Sequence, residues 1–424
     1  MTKPKICICT LGCKVNQYDS DAMAAVFAEA GMEVAEGFVP ADVYIVNTCA
    51  VTAEAERKSR QAVNRISRMS PGAEIYVCGC ASQNDFSQFG AEGVRYIGGT
   101  KGKFALAEAI VARCEGGDAG VFGKICASDF STAKAYEEGM LPYVSRTRRY
   151  IKVQDGCNNF CSYCIVPYLR GRSRSRSLSG VLEEVRAAEV DSREVVLTGI
   201  NLSAYGRDIG TSLAALLTAL QSTPLRVRLG SLEVRVIDEA FLEAAAGMKS
   251  FCPHFHLSLQ SGDDGVLRDM NRHYTAAEYA EKVALIREKF PGAAVTTDVI
   301  VGFPTETDEA FERSLAFCAE MSFADMHVFP YSSRKGTAAG KLRTIDPRVV
   351  AEREKKMLAL KRELSEKFRL SALGKPAEVL FETREDGMWC GHTPEYVKVY
   401  ASEGARGAVS SVVPTALFGD GVRV

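Results

Sequence analysis

The sequence predicts an α/β protein in three parts: an N-terminal doubly wound parallel sheet, a central partial barrel of six β/α units, and a small C-terminal all-β module. Two observations predict this order. Short apolar runs bounded by turn residues alternate with helical patterns through most of the chain, which is typical of parallel sheets. From Lys375 onward the pattern changes to short strands separated by Gly and Pro turns. We place the three parts at residues 1–113, 141–370 and 371–424, with a linker at 114–140.

The N-terminal part shows four strand patterns and two amphipathic helical patterns. A βαβα series of this kind predicts a doubly wound sheet, in which parallel strands are covered by helices. The predicted strands read "KICICT", "VYIVNT", "EIYVCG" and "VRYIGG", and the predicted helices read "NQYDSDAMAAVFAEAG" and "AEAERKSRQAVNRISRM".

The central part alternates in the same way with six strand patterns. Six units are too few for a closed eight-stranded barrel, so we expect an open or partial one. A charged helix over residues 346–370, with Met357, Leu360, Leu364 and Phe368 on one face, follows the last unit. The predicted strands read "RYIKVQ", "EVVLTG", "RVRLGS", "FHLSLQ", "VTTDVIVG" and "DMHVFPY".

Composition and charge argue against export and membrane insertion. The 424 residues have a formal net charge of −1, and no apolar run approaches the length that crosses a bilayer. The N-terminus lacks the apolar stretch of a secretory signal. Fourteen cysteines in a chain that is not exported indicate thiol chemistry or metal binding rather than disulfides, so we predict a cytoplasmic protein.

Three cysteines, Cys157, Cys161 and Cys164, stand close together in "GCNNFCSYC"; we call them the motif cysteines. A structural zinc or a fully ligated iron–sulfur cluster needs four protein ligands, and no fourth cysteine follows nearby. Three cysteines on a [4Fe–4S] cluster leave one iron open to a small molecule, as in catalytic metal sites. A zinc knuckle completed by a histidine or a distant cysteine is the alternative, but the surrounding barrel pattern favours the cluster.

Three further cysteines, Cys13, Cys49 and Cys80, each follow a predicted strand of the N-terminal sheet; we call them the sheet-edge cysteines. One such cysteine is most often a small buried apolar residue. Three of them at successive crossovers on one edge of a parallel sheet converge in space, which suits a second three-cysteine cluster. We expect the neighbouring Cys78 to alternate away from Cys80 along the strand and to point elsewhere.

The motif cysteines, with an aromatic residue before the last of them, resemble the radical S-adenosylmethionine (SAM) superfamily, in which the cofactor binds the open iron. Four more motifs, "LTGIN", "GSLE", "LSLQSG" and "DVIVGFPTE", lie where a barrel places its active site, at the carboxyl ends of strands. The resemblance implies that residues in these motifs bind the cofactor. They are Tyr163, Thr198, Gly199, Asn201, Glu233, Ser258, Gln260 and Gly302.

Taken together, "TLGCKVNQYDS", "NTCAVT", "GCASQ" and "GCNNFCSYCIVPYLRGRSRSR" are similar to the methylthiotransferases, and the similarity covers essentially the whole chain. The resemblance implies two [4Fe–4S] clusters, one on each set of cysteines. One SAM methylates sulfur at the sheet-edge cluster, and a second is cleaved at the motif cluster to give a 5′-deoxyadenosyl radical. We assign no catalytic residue beyond the cluster ligands, because the five histidines are scattered along the chain; His256 could line the cavity.

Two features indicate an RNA substrate. Between residues 141 and 180, eight arginines and lysines stand against one acid, Asp155, which is typical of phosphate binding, although a solvated basic loop is the alternative. The tail "CGHTPEYVKVY" resembles the TRAM domain, an OB-like barrel, and such barrels bind nucleic acid with basic and aromatic side chains. The predicted RNA contacts are Arg170, Arg172, Arg174, Arg176, Tyr396 and Lys398.

Three methylthiotransferase branches compete. "TLGCKVNQYDS" and the "SRSR" after the motif cysteines look most like the MtaB-type branch, which converts N6-threonylcarbamoyladenosine at tRNA position 37 to its 2-methylthio derivative. The other branches modify isopentenyladenosine in tRNA or an aspartate of a ribosomal protein, and a non-catalytic iron–sulfur RNA-binding protein is a further alternative. The resemblance implies tRNA, an electron donor such as a flavodoxin or ferredoxin, and a sulfur source as partners, and no membrane.

Overall fold

The structure is a computed structural model that describes residues 3–116, 135–139 and 147–424. Most of the predicted linker at 114–140, the first residues of the predicted central part, and Arg146 of the basic segment lie outside the described residues. The chain divides into two compact units. Unit 1 comprises Met1–Ser145, Gln154–Arg176 and Ser332–Gly340, and unit 2 comprises Arg146–Val153, Ser177–Tyr331 and Lys341–Val424. The three-part domain division made from the sequence stays a prediction.

Unit 1 contains a five-stranded parallel sheet with the strand order β2-β1-β3-β4-β5. Its strands are β1 (Ile6–Thr10), β2 (Val34–Glu36), β3 (Val43–Thr48), β4 (Glu74–Gly79) and β5 (Val94–Ile97). Its helices are α1 (Lys14–Glu29), α2 (Ala53–Met69), α3 (Cys80–Asn84) and α4 (Lys103–Cys114). Apolar residues of α1 and α4 pack on one face of the sheet and those of α2 on the other, so the predicted doubly wound arrangement is confirmed.

Helix α2 coincides with its prediction, because its ends are encoded locally. The side chain of Thr52 accepts a hydrogen bond from the backbone N–H of Ala55, and acidic residues follow in the first turn. Strand β2 and helices α3 and α4 were not predicted. β2 and α3 are too short for a periodic signal, and α4 shows little contrast between its faces because much of it is apolar.

A second segment of unit 1 holds the motif cysteines. Strand β6 (Arg148–Asp155) ends in this unit, and its last two residues pair antiparallel with β7 (Arg174–Ser175). Between them lie the motif cysteines and the short helix α5 (Val166–Arg170). Ile165 and Leu169 belong to the same apolar core as Val46 and Val77 of the parallel sheet, so this segment packs on the face of the sheet that α2 covers.

Unit 2 consists mainly of parallel strands and helices. Strands β8 and β9 pair in parallel, as do the neighbours in the four-stranded sheet β10-β11-β12-β13. Gly230 separates β9 from β10, so the predicted strand "RVRLGS" is two short strands. The strands are β8 (Glu194–Gly199), β9 (Arg226–Leu229), β10 (Ser231–Leu232), β11 (His254–Leu257), β12 (Ala294–Val301) and β13 (Asp325–Pro330). The helices are α6 (Leu178–Ala188), α7 (Leu213–Ala219), α8 (Glu239–Ala246), α9 (Asp264–Asp269), α10 (Ala276–Lys289), α11 (Asp308–Met321) and α12 (Pro347–Leu370).

The two faces of the β10–β13 sheet differ in chemistry. Phe255, Val295, Val299 and Met326 point into the large apolar core that the helices share. Successive side chains of a strand alternate between faces, so the residues between them lie on the opposite face, which we call the open face. The open face carries both polar and apolar residues. Its polar members on β11, β12 and β13 are His254, His256, Thr296, Asp298, Asp325 and His327, and its apolar members are Ala294, Ile300 and Phe329.

The C-terminal residues of unit 2 form a six-stranded sheet with the order β17-β14-β15-β16-β19-β18. All its neighbouring pairs are antiparallel except β16 and β19. The strands are β14 (Ala377–Glu385), β15 (Met388–His392), β16 (Lys398–Ala401), β17 (Val409–Val412), β18 (Ala416–Phe418) and β19 (Gly421–Arg423). A separate small core that includes Val379, Phe381, Val399 and Val422 confirms the predicted all-β module. In the part of the chain that the structure describes, no helix is both long and apolar enough to cross a membrane.

Candidate functional site

The sheet-edge cysteines follow three strands that lie side by side. Cys13 precedes α1 and comes after β1, Cys49 directly follows β3, and Cys80 directly follows β4. Parallel strands end at the same edge of a sheet, so all three cysteines stand at the carboxyl edge of unit 1. Cys13 is exposed, whereas Cys49 and Cys80 are buried. The predicted position of these cysteines at one sheet edge is confirmed.

The backbone before Cys13 runs against the side chain of Cys49. Gly12 has φ of +100°, and a Cβ atom added to it would lie 2.6 Å from Cys49 Sγ. Only glycine fits this position, because a side chain would both clash and strain the backbone. Burial, together with negative charge on Cys80 and Cys13, raises the pKa of the Cys49 thiol to about 12. The three sulfur atoms are therefore electrostatic neighbours, which fits a shared metal cluster.

Cys78 does point away from this edge, but not for the reason given from the sequence. Residues two apart on a strand share a face, so alternation alone would have put Cys78 and Cys80 on one side. Strand β4 ends at Gly79, which has φ of +108°, and Cys80 begins α3. Cys78 consequently lies in the core under α1 and α4, and Cys80 lies in the core under α2.

The loop of the motif cysteines is held by backbone hydrogen bonds. The N–H of Cys157 donates to the carbonyl of Gly171 over 3.0 Å, and the N–H of Cys164 donates to the carbonyl of Cys161 over 2.9 Å. Ser162 accepts a bond from the N–H of Ala339, also in unit 1, over 2.7 Å. Cys161 is 8% exposed, and Cys157 and Cys164 are half-buried. The loop is thus preorganised with two of its three cysteines only partly covered, which fits a cluster that a small molecule must reach.

Two backbone conformations shape this loop. Gly156 has φ of +73°, and a Cβ atom there would lie 2.0 Å from the carbonyl oxygen of Arg172. Phe160 also has a positive φ, of 47°, which is rare for a residue with a side chain. Its ring packs edge-on against Tyr168 and lies 4.5 Å from the guanidinium of Arg172. These contacts hold the strained residue in place between two motif cysteines.

Arg170 links Cys80 to the end of the strand that precedes the motif cysteines. Its side chain is 1% exposed and donates from Nη1 to both carboxylate oxygens of Asp155 over 3.1 Å, from Nη2 to Asn16 over 2.6 Å, and from Nε to Cys80 Sγ over 3.4 Å. Burial lowers the pKa of an arginine, but the surrounding negative charges, Asp155 first, raise that of Arg170 well above its ordinary value. Arg170 therefore places a permanent positive charge between Asp155, two positions before Cys157, and the sulfur of Cys80.

The burial of the neighbouring arginines corrects the prediction of a phosphate-binding surface. Arg174 donates to the carbonyls of Arg172 and Arg170, and Arg176 donates to Glu138 and to the hydroxyl of Tyr18. Both are 4% exposed. Of the four arginines predicted to contact RNA, only Arg172 is exposed. The side chains of Arg174 and Arg176 instead form hydrogen bonds that stabilise the segment after the loop of the motif cysteines.

The basic residues of β6 that belong to unit 2 do not form a phosphate-binding surface either. Arg149 and Lys152 are 8% and 6% exposed. Arg148 forms an ion pair of 2.7 Å with Glu382 of the C-terminal module. Counting charges along the sequence could not detect this, since Glu382, the partner of Arg148, lies far away in the chain.

The strand-end residues predicted to bind SAM occupy the expected ends in unit 2. Tyr163 lies in the loop of the motif cysteines in unit 1 and is half-buried. The cofactor role of all of them stays a prediction. The positions in unit 2 are Thr198, Gly199 and Asn201 at the end of β8, Glu233 after β10, Ser258 and Gln260 after β11, and Gly302 after β12.

Gly302 already has a partner for its backbone N–H. This group donates to the carboxylate of Glu306 over 2.8 Å, and Glu306 forms a buried ion pair of 2.7 Å with Arg353 of α12. Gly302 has φ of +75°, and a Cβ atom there would contact Val350 at 2.6 Å. The glycine therefore lets α12 approach the strand, and its N–H is not open to a cofactor.

The two tail residues predicted to contact RNA are engaged within unit 2. The imidazoles of His254 and His392 stack on the ring of Tyr396 at 4.8 and 4.6 Å. Arg228 lies 4.8 Å from the same ring. Lys398 is bound to the carboxylates of Glu385 and Asp420 over 2.8 and 3.3 Å. Tyr396 thus joins the C-terminal module to the open face of the β10–β13 sheet while remaining 38% exposed. Contact of Tyr396 and Lys398 with RNA stays a prediction.

Sequence reasoning missed a cluster of two histidines and an aspartate on the open face. His256, Asp298 and His327 lie on β11, β12 and β13, and their ligand-type atoms are all within 4.8 Å of one another. The view that the histidines are scattered was therefore wrong in three dimensions. The detectable signal was the alternation of each strand, which places all three residues on the face away from the apolar core.

Comparisons with known proteins agree with the two cysteine sets. Residues 5–96 match the model of the family described as "Uncharacterized protein family UPF0004", and residues 151–318 match that of the radical SAM superfamily. The chain is 36% identical over 405 residues to "Threonylcarbamoyladenosine tRNA methylthiotransferase MtaB" of Bacillus subtilis (strain 168), covering 92% of this chain and 88% of the relative. It is 38% identical to the protein of the same name from Chlamydia pneumoniae, covering 92% and 89%. This chain belongs to the MtaB-type radical SAM methylthiotransferase family.

This methylthiotransferase is also 34% identical to the "tRNA-2-methylthio-N(6)-dimethylallyladenosine synthase" of Acetivibrio thermocellus, over 90% of the chain and 81% of the relative. Its fold is similar to that of the radical SAM methyltransferase TsrM from Kitasatospora setae, with a TM-score of 0.58, 17% identity, and coverage of 80% and 77%. The methylthiotransferase is an enzyme of the transferase class, with the parallel α/β fold of the radical SAM superfamily. Members of that superfamily use SAM with an iron–sulfur cluster, and these are the cofactors of this enzyme.

Proposed function

We propose that this enzyme is a tRNA methylthiotransferase that converts N6-threonylcarbamoyladenosine at tRNA position 37 to its 2-methylthio derivative. The observation that carries the proposal is the presence of two three-cysteine sets in one compact unit, with Arg170 bonded both to Cys80 of one set and to Asp155, two positions before the other set. The relatives named for threonylcarbamoyladenosine support this substrate. Isopentenyladenosine is the second candidate, because relatives named for the dimethylallyl substrate are nearly as similar.

The proposal includes one [4Fe–4S] cluster on each cysteine set, each with one iron that lacks a protein ligand. The bound clusters and SAM supply the radical that removes hydrogen from the substrate carbon and the methylated sulfur that replaces it. The chain's own residues hold and screen these groups. Arg170 donates to the Cys80 sulfur and balances part of the negative charge that three thiolates bring to a buried site.

The remaining parts of the proposal concern SAM, tRNA and partner proteins. The strand-end residues of unit 2 would bind SAM, and the parallel strands of this unit would form a partial six-unit barrel with a TRAM-like module after it. The exposed Arg172 is the arginine available to tRNA phosphate. An electron donor such as a flavodoxin or ferredoxin would reduce the motif cluster, and a separate source would supply sulfur.

Nucleoside analysis by mass spectrometry tests the proposal directly. A strain that lacks the gene should accumulate threonylcarbamoyladenosine without its 2-methylthio form, and the wild-type chain should restore that form. Cys157→Ala should abolish the formation of 5′-deoxyadenosine. Cys80→Ala should retain cleavage of SAM but stop the insertion of sulfur. Cys114→Ser, a half-buried thiol of unit 1 outside both sets, should behave like the wild type.

Two results would contradict the proposal. If the deletion changed only isopentenyladenosine, the enzyme would belong to the other tRNA branch. If neither tRNA nucleoside changed and a ribosomal protein lost its modification, the substrate would be a protein.

A further inference from the structure

The open face of the β10–β13 sheet holds the hydrogen-bonded cluster His256–Asp298–His327. Asp298 lies directly opposite His327 in the pairing of β12 with β13, and His256 lies on the neighbouring strand β11. Nε2 of His256 is 3.2 Å from Oδ2 of Asp298, and Nδ1 of His327 is 3.2 Å from Oδ1. Each carboxylate oxygen thus faces a different imidazole, and no role described above uses this cluster.

The cluster is anchored at one end and exposed at the other. Nδ1 of His256 is 3.0 Å from the hydroxyl of Thr296, and the His256 side chain is 11% exposed. Burial opposes the ionisation of Asp298, but the hydrogen bonds of His256 and His327 lower its pKa below the ordinary value. The side chain of His327 is 56% exposed. A fixed carboxylate therefore orients the His327 ring, whose second nitrogen is directed away from Asp298.

We propose that His327, oriented by Asp298 and His256, recognises the threonylcarbamoyl substituent of the substrate; this inference rests on the proposed function. A threonylcarbamoyl group presents a carboxylate, a hydroxyl and carbamoyl N–H groups. A protonated imidazole donates to a carboxylate, and a neutral one with its proton on Nδ1 accepts from an N–H at Nε2. Both protonation states of His327 therefore have a matching group on this substituent.

The same chemistry disfavours the competing substrate. An isopentenyl substituent has no hydrogen-bonding group, so it would leave the oriented imidazole of His327 unpaired, and its contacts on this face would be with Ile300 and Phe329. Leaving such groups unpaired penalises an apolar analogue far more than a missing methylene would. His254 is buried against Tyr396, and Thr296 is bonded to both His254 and His256 over 3.0 Å. The exposed His327 is therefore the member of the cluster that is suited to the polar substituent.

The test compares two substrates rather than one activity. The kcat/KM of the reconstituted enzyme is measured on tRNA carrying threonylcarbamoyladenosine and on tRNA carrying isopentenyladenosine. His327→Leu should lower kcat/KM on the threonylcarbamoyladenosine tRNA by about 10- to 100-fold, as expected for the loss of a hydrogen bond to a charged group. The ratio of the two kcat/KM values, threonylcarbamoyladenosine over isopentenyladenosine, should fall accordingly. His327→Gln, which keeps a donor and an acceptor, should retain part of the ratio. His273→Leu, at an exposed histidine outside the cluster, should leave it unchanged.

Each outcome has one meaning. A folded His327→Leu variant with an unchanged substrate ratio overturns the inference and leaves the proposed function intact. A wild-type enzyme that acts only on isopentenyladenosine overturns the proposed function itself. Two histidines and a carboxylate are also a common zinc ligand set, so metal content is measured in a variant that lacks all six cluster cysteines. One equivalent of bound zinc that His327→Leu removes would overturn the inference in favour of a metal centre.

Discussion

Replacing Arg170 by methionine should destabilise unit 1, because Arg170 is a buried cation with several fixed partners. Methionine is of similar length and leaves a small cavity, so the main effect is electrostatic. The guanidinium of Arg170 neutralises Asp155 at 3.1 Å and lies 3.8 Å from Asp19. Breaking a buried ion pair by removing one partner typically costs about 3–5 kcal/mol.

The free-energy cost of Arg170→Met is expected at the lower end of that range, because both carboxylates near Arg170 keep another partner. Asp19 keeps an ion pair of 2.7 Å with Lys103. Asp155 keeps a hydrogen bond of 2.7 Å from the N–H of Gly156 but loses both bonds from Arg170. We therefore expect Arg170→Met to lower the free energy of unfolding by about 3 kcal/mol, mainly through Asp155.

Urea unfolding of the cluster-free protein, followed by far-ultraviolet circular dichroism, measures this free energy. Arg68→Met is the matched control, because Arg68 is exposed in the last turn of α2, and surface substitutions usually change stability by less than about 0.5 kcal/mol. Adding Asp155→Asn to Arg170→Met should recover part of the loss, since the carboxylate is then neutral as well. An Arg170→Met protein within 1 kcal/mol of the control, about the size of one ordinary substitution, would refute the reasoning.

Two further predictions follow from contacts in the two units. Gly12→Ala should lower the iron bound per chain, measured by metal analysis after reconstitution, because the added Cβ atom would displace Cys49. Gly72→Ala is the control for backbone strain, since Gly72 also has a positive φ but has open space around it. Equal iron in both variants would contradict the prediction. In the C-terminal module, burial opposes the ionisation of Glu382, but hydrogen bonds from His392 and Arg148 lower its pKa. The stability from this depressed pKa is present above the unfolded value of about 4.3 and is lost as the pH falls below it. Glu382→Gln should thus flatten the acid side of a plot of unfolding free energy against pH, and an unchanged acid slope would argue against it.

The elements of unit 1 and the sheet-edge cysteines could be predicted because their signals are local. Apolar runs ending in turn residues mark the strands, and parallel strands necessarily bring their following residues to one edge. Cys13, Cys49 and Cys80 are 67 positions apart from first to last, yet strand order alone places them together. Helix α2 could be located to the residue because Thr52 caps it.

The arginines and histidines could not be assigned in the same way, since their roles depend on distant partners. Arg170 pairs with Asn16 and Asp19, and Arg148 pairs with Glu382. A count of charges along the chain does not distinguish a buried cation from an exposed one. His256 and His327 meet Asp298 through the pairing of three strands, and single-sequence periodicity shows the strands without their register.

The reach of Arg170 has a consequence for how movement is transmitted within unit 1. A guanidinium is planar and rigid, so its bonds to Cys80 and to the carboxylate beside the cluster loop cannot be adjusted independently. A displacement of the Cys80 sulfur is therefore passed through Arg170 to Asp155, and the strand that leads into the motif cysteines moves with it.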